Sequence, residues 1–200
     1  MKQAFFLTGT DTEIGKTFIT CALLHRAADA GFRAVGVKPV AAGTDHRGLN
    51  DDVENIRQAS NVQLPQNIIN PYCFTAAIAP HIAAAEEKVS IDFKVIQSAC
   101  LSACEAADFV IIEGVGGFRV PLGVDRDSAG LAVELGLPVI LVVGMRLGCI
   151  NHALLSVEAI LARGLSIAGW VANCIDPNMA RHEENLATLK SLINAPLLGV

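Results

Sequence analysis

The stretch Ala4-Phe5-Phe6-Leu7-Thr8-Gly9-Thr10-Asp11-Thr12-Glu13-Ile14-Gly15-Lys16-Thr17 decides the reading of this chain. An apolar run reads as a strand, a glycine-bounded loop follows it, and Gly-Lys-Thr opens a helix-like segment. Backbone N–H groups of such a loop point inward and the helix N-terminus carries partial positive charge, so the turn makes a phosphate cradle. Lys16 is placed to reach the outer phosphates, and the Thr17 hydroxyl to bind a magnesium ion. The usual motif has four residues between its glycines; here there are five, with Thr10 where the first glycine normally falls. A strand-to-helix turn that holds Gly-Lys-Thr by chance is the competing reading. The placement between an apolar run and an apolar helical pattern argues against it, and a nucleoside triphosphate is the expected ligand.

Working outward, strand-like runs alternate with helix-like segments to the end of the chain. The strands read as Ala4–Thr8, Ala34–Val37, Phe109–Ile112, Val139–Val143, Ala168–Ala172 and a short Leu197–Leu198. Several are continuously apolar, as expected of strands buried on both faces. Helices read as Lys16–Ala30, Asp52–Ser60, Pro80–Glu87, Phe93–Ala106, Ala129–Leu135, Asn151–Arg163 and Arg181–Leu192, with Gly31, Gly136 and Gly164 as C-terminal caps. This alternation predicts an α/β fold, a mostly parallel sheet with helices on both faces, like the P-loop nucleoside triphosphate hydrolases. Residues 1–200 read as one domain, and Asn61–Ala79, with Pro65 and Pro71, reads as a long irregular loop.

Bulk properties narrow the function. The net charge is −5 and no basic run occurs, so neither nucleic acid nor an anionic membrane is indicated as a partner. The first apolar run is too short for a signal peptide and no stretch is long enough to span a membrane; the cysteine pattern fits reduced thiols, so a cytoplasmic protein is expected. Hydrophobic residues make up 52% of the chain, more than a monomer's core needs, which points to a subunit interface. The six cysteines contain no C-x-x-C pair; Cys100 and Cys104 share a helix face, and buried thiols are the preferred reading over a metal site.

In parallel sheets ligands bind at the carboxyl ends of strands. Here those ends carry Thr8-Gly9, Lys38-Pro39, Glu113-Gly114, Gly144-Met145 and Asn173. Glu113 is a carboxylate at a strand tip beside the phosphate loop, suited to magnesium, and the glycines after it let backbone approach a ligand. Lys38 should face the same cleft as Lys16, and two ammonium groups there suit phosphoryl transfer onto an anion. A solvated lysine is the alternative. Asp51 and Asp52 read equally as helix caps or metal ligands, and physics alone does not choose between the two residues. Asn173-Cys174-Ile175-Asp176 is similar to a guanine-reading motif, but Cys174 replaces its lysine; an Asn amide can instead pair with adenine. Of the scattered histidines only His152, near a helix start, invites notice.

With these residues placed, the chain resembles the dethiobiotin synthetase family over essentially its whole length. The resemblance rests on Thr8–Thr17, Gly36-Val37-Lys38-Pro39-Val40, Glu113-Gly114-Val115-Gly116-Gly117, Val143–His152 and Trp170-Val171-Ala172-Asn173. It implies an ATP- and magnesium-dependent enzyme of biotin synthesis. In the implied reaction 7,8-diaminopelargonate takes up CO2 as a carbamate, ATP phosphorylates the carbamate, and the second amine closes a cyclic urea. It also implies roles. Lys16 and Lys38 stabilise the transferring phosphoryl group, and Thr12 touches the carbamate. Thr17, Asp52 and Glu113 hold magnesium. Glu13, Ile14, Gly15, Phe18, Gly114, Val115, Gly116, Asn173 and Cys174 complete the nucleotide site, with Asn173 at the adenine. A homodimer is implied, with Gly148, Cys149, Ile150 and Asn151 binding the substrate's tail carboxylate from the neighbouring subunit.

Two departures stand out. Ala42 occupies the position where the family usually has Ser in Lys-Pro-Val-x-Ser-Gly, which removes one hydroxyl contact on the substrate side. Family members usually continue past Gly199-Val200 into a segment near the base, so an open base pocket or a trimmed chain is expected. The rival readings are a cobyric acid amide-forming synthetase, a ParA- or MinD-like switch ATPase, and a nucleotide-binding module without chemistry. The first needs an ammonia source, the second a loop lysine where Thr10 stands, and the intact Lys16, Lys38 and Glu113 oppose the third.

Overall fold

The computed structural model describes residues 2–200. The chain runs through β1 (Gln3–Gly9), α1 (Lys16–Asp29), β2 (Ala34–Val37), β3 (Val40–Ala42), α2 (Asp51–Ala59), α3 (Gln66–Ile69), β4 (Tyr72–Phe74) and α4 (Pro80–Glu86). It continues with α5 (Phe93–Ala106), β5 (Phe109–Glu113), α6 (Ser128–Leu135), β6 (Val139–Gly144), α7 (Cys149–Ala162), β7 (Ile167–Asn173), α8 (His182–Leu192) and β8 (Leu197–Gly199). Six strands form one sheet in the order β2-β5-β1-β6-β7-β8, all paired in parallel. The continuous apolar runs have a direct cause. Successive side chains of a strand point to opposite faces, and both faces here are covered. Phe6, Val110, Ile112, Leu141, Val143 and Trp170 pack with α5, α6, α7 and α8. Leu7, Ile111, Ile140, Val142 and Val171 pack with α1 and α2. Trp170, the only tryptophan in the chain, is fully buried.

This α/β architecture is the one expected, and its order positions the site. From β1 the chain crosses to β2 on one side, while β6 lies on the other. The strand order therefore reverses at β1, and a crevice opens outside its carboxyl end.

Three expectations need correction. Asn61–Ala79 is not an irregular loop throughout: it holds α3 and β4, and β4 pairs in parallel with β3 to make a second, two-stranded sheet. Elements this short carry no periodic signal of their own, and here prolines and polar residues surround them. Helix α2 starts at Asp51, with Asn50 as its cap: Asn50 Oδ1 accepts from the Val53 N–H at 3.2 Å. Neither aspartate caps the helix. Helix α7 starts at Cys149, two residues earlier than read, because Gly148 at φ 94° turns the chain into it. Gly31, Gly136 and Gly164 do take the left-handed conformation expected of caps.

Candidate active site

The phosphate loop hangs from the sheet at several points. The Thr10 N–H donates to the Val142 carbonyl at 2.9 Å, and the Thr10 hydroxyl oxygen accepts from the Gly144 N–H at 3.3 Å. This gives a physical role to the threonine that replaces the usual glycine. Asp11 caps the Thr12 N–H through Oδ1 at 2.8 Å, and its Oδ2 pairs with Arg146 from the end of β6. Ile14 is buried in the sheet's α1 side, so it offers a ligand only backbone. Glu13 sits at φ 57°, a left-handed conformation rare for a residue with a side chain. Strain of this kind persists where the surroundings enforce it, and it clusters at ligand clamps. Gly15 follows at φ 82°, and a Cβ there would lie 2.2 Å from Asn173 Nδ2.

Asn173 braces the loop from β7, donating to the Ile14 carbonyl at 2.7 Å. Its amide has a second N–H and an acceptor oxygen, so this bond leaves the two groups that adenine pairing needs. Cys174 is exposed, with Sγ 3.1 Å from His182 Nε2. Gly114 is buried and bonded through its N–H to the Leu7 carbonyl at 2.8 Å.

The charged groups converge where β1, β2 and β5 end. Lys16 Nζ donates to the Asp11 carbonyl at 2.8 Å, folding over its own loop. Burial, and then the neighbouring Lys38 charge, push its pKa down to about 8. Lys38 Nζ donates to Asp52 Oδ2 at 2.6 Å and to Glu113 Oε1 at 2.7 Å. Burial acts to lower the Lys38 pKa, but Glu113 and Asp52 outweigh it and hold the value above the ordinary one. For Asp52 burial acts upward, and Lys38 with the Thr17 hydroxyl outweighs it, leaving the carboxyl below its usual value. Glu113 has no solvent exposure. Its Oε1 also accepts from the Thr17 hydroxyl at 2.7 Å, and its Oε2 accepts from the Thr20 hydroxyl at 2.5 Å.

Sequence reasoning passed over Thr20, Asn50 and Asn70. Thr20 is three residues after Thr17, hence on the same face of α1. Asn50 frees Asp52 by capping α2 in its place, and also donates through Nδ2 to the Gly43 carbonyl at 2.6 Å. Asn70 donates to the Lys38 carbonyl at 2.6 Å, while the Lys38 N–H donates to the Ile69 carbonyl at 2.8 Å. Asn50 before an acidic pair is a legible cap signal; nothing in the sequence marks Asn70.

A cleft of about 1360 Å³ opens beside these groups. Thr12, Glu13, Gly15, Lys16, Thr17 and Phe18 of the loop line it, as do the charged Lys38 and Asp52 and the apolar Ala42, Ile78, Val115 and Val120, with Gly116 beside them. The Gly148–Asn151 segment is not part of it; that segment begins α7, beyond the end of β6. A triphosphate-sized anion, a hard cation and a partly apolar molecule could meet here.

Comparison with known proteins fits that geometry. A family model described as an AAA domain matches residues 3–200. The ATP-dependent dethiobiotin synthetase BioD of Aromatoleum aromaticum is 61% identical over 201 residues, which is 99% of this chain and 89% of that protein. The chain belongs to the dethiobiotin synthetase family. Dethiobiotin synthetases are ATP-dependent ligases. Among solved structures, a ParA family ATPase from Chlorobium tepidum aligns with a TM-score of 0.56 at 13% identity, covering 100% of this synthetase-family chain and 84% of that one. A MinC:MinD cell division complex from Aquifex aeolicus gives 0.56 at 14% identity, covering 98% and 79%. Chloroplast FtsY from Physcomitrella patens gives 0.57 at 15% identity, covering 98% and 57%. These three share the fold.

Proposed function

We propose that residues 1–200 act as a single ATP-dependent cyclo-ligase domain that makes dethiobiotin for biotin synthesis, from 7,8-diaminopelargonate and CO2 or bicarbonate. The observation that carries the reading is the meeting of Lys16, Lys38 and Asp52 at a cleft that also has apolar lining residues, with the buried Glu113 bonded to Lys38.

The donor set suits magnesium: a threonine hydroxyl and two carboxylates are hard oxygen ligands, and buried Glu113 has only cations and hydroxyls as partners. Thr17, Asp52 and Glu113 would hold the ion. When bound, magnesium neutralises charge on the phosphates. The remaining work belongs to the chain. The loop's N–H groups hold the triphosphate in line, and Lys16 and Lys38 draw charge from the γ-phosphoryl group as it transfers. One amine of the diamine takes up CO2 as a carbamate. A carbamate oxygen attacks the γ-phosphorus and ADP leaves. The second amine then attacks the carbamate carbon, phosphate leaves, and the cyclic urea closes with loss of a proton. In this reading Thr12, which lines the cleft, meets the carbamate, and Ala42, Val115 and Val120, which also line it, meet the methylene chain. Ala42 offers no hydroxyl, which costs about 0.5–1.5 kcal/mol of binding relative to a neutral hydrogen bond.

The proposal includes a cytoplasmic homodimer whose neighbouring subunit binds the tail carboxylate at Gly148–Asn151. Helix N-termini favour anions, Gly148 opens α7, and Leu147 beside it is 91% exposed. No described helix is long and apolar enough to cross a membrane.

The deciding experiment supplies magnesium, ATP and bicarbonate with and without the diamine. Phosphate release that depends on the diamine, with a product of dethiobiotin mass, is the expected result. Hydrolysis indifferent to the diamine overturns the reading in favour of a switch ATPase.

A further inference from the structure

Two of the three groups proposed for magnesium already hold a cation that the chain itself provides. The Lys38 ammonium lies 2.6 Å from Asp52 Oδ2 and 2.7 Å from Glu113 Oε1, and the Thr17 hydroxyl shares that same Glu113 oxygen at 2.7 Å. Magnesium binds oxygen at about 2.0–2.1 Å. An ion on these oxygens and an ammonium within hydrogen-bond reach of them would compete for the same lone pairs at a distance where like charges repel.

We propose that Lys38 is an internal stand-in for the divalent cation, and that it leaves the Asp52–Glu113 pair when metal and nucleotide enter. The inference rests on the nucleotide-binding reading above. Its logic is electrostatic. Glu113 is fully buried, and two carboxylates so close need a cation in the ligand-free protein. Lys38 meets that need. Metal arriving with a polyphosphate takes over the carboxylates and brings new anionic oxygens, so the freed ammonium has a destination in the cleft that Lys38 already lines.

The chain around Lys38 is built for a moving side chain on a fixed backbone. Its N–H is held by the Ile69 carbonyl and its carbonyl by Asn70. Only the side chain has freedom, and Asp52, 46% exposed in its side chain, is the open side of the pair. The exchange makes one lysine serve twice: it neutralises the empty site, and it reaches the transferring group only after the metal is seated. Premature use of the lysine is thereby excluded.

The test reads the lysine and the metal, not turnover. In wild-type protein carrying 15Nζ-labelled lysine, ADP without metal is expected to leave the Lys38 ammonium resonance in place, and Mg·ADP to shift it. Binding of Mg·ADP with that resonance unmoved overturns this inference alone. Failure of Mg·ADP to bind overturns the nucleotide reading and this inference with it. A second measurement follows Mn2+ binding to nucleotide-free protein by electron paramagnetic resonance. Lys38→Gln is expected to tighten it by about tenfold or more, since one contact-distance repulsion is removed. Lys16→Gln removes a neighbouring charge that bonds to neither carboxylate, and is expected to change it less. Equal effects of the two variants, or none, count against the exchange. Should Lys38→Gln not fold, the resonance experiment on the wild type still decides.

Discussion

At Glu113 the two carboxylate oxygens have different partners. Oε2 is held by Thr20 alone, deep under α1, while Oε1 faces Thr17 and Lys38. Thr20 therefore fixes the rotation of the carboxylate and presents one oxygen to the cleft. A hydrogen bond to a charged group contributes about 1.5–3 kcal/mol. Thr20→Val keeps the shape and deletes the hydroxyl. We expect it to raise the magnesium concentration required for half-maximal rate by about tenfold or more, with Thr20→Ser restoring most of the loss. A role in packing alone predicts the reverse: similar magnesium dependence, and Ser no better than Val. This residue was invisible in the sequence for a physical reason. A buried threonine on a helix is usually filler. Its partner is at a strand tip 93 positions away. The place of Lys16 and Thr17 at the loop and helix start was legible because the whole turn is written in one stretch. Asp52 was half legible. Only the position of Asn50 at the start of α2 shows that the aspartate is free to face Lys38.

Among elements, β6 matters more than its plain sequence suggests. Val142 and Gly144 hold Thr10, and Gly144 also lies against Ile14. A Cβ at Gly144 would sit 2.5 Å from Ile14 Cγ2 and 2.8 Å from Ile175 Cδ1. Gly144→Ala is thus expected to push Ile14 and distort the phosphate loop it belongs to. Overpacking of this kind costs about 1–3 kcal/mol. Urea titration should register that loss, and calorimetry with Mg·ADP should show weaker binding. Undiminished ADP affinity in the variant would mean the loop does not depend on this packing. The six sheet strands could be read from sequence because each is apolar on both faces over at least a short run. The β3–β4 pair could not: unlike the equally short β8, which follows a legible helix, β3 comes straight after β2 and Pro39, and Tyr72-Cys73-Phe74 lies in a stretch of prolines and polar residues with no legible helix before it.

At the scale of the molecule, the exposed apolar surface is the feature that the fold leaves unexplained. Leu147 is 91% exposed, and Leu155 and Leu161 on α7 are each more than half exposed. If a second copy covers this region, light scattering gives twice the chain mass, and Leu147→Asp shifts the species towards monomer. The same variant should raise KM for the diamine more than KM for ATP, because the expected carboxylate site lies at the adjoining helix start, whereas this segment meets the phosphate loop through Arg146 and not through Leu147. A monomeric wild type with full activity sinks the dimer proposal and leaves the chemistry standing.

The burial of Trp170 has a use of its own. One indole in a protein means that emission excited at the red edge of the absorption, where the single tyrosine does not absorb, has a single source. That source sits in β7 with no contact with water, and its strand ends at the asparagine that braces the phosphate loop. Unfolding must move it from a dry environment to a wet one, so a red shift reports the loss of the sheet without a label. A change in decay time upon adding ADP, with no red shift, would instead report tightening along β7. The chain thus contains its own optical gauge for distinguishing melting from ligand-induced stiffening.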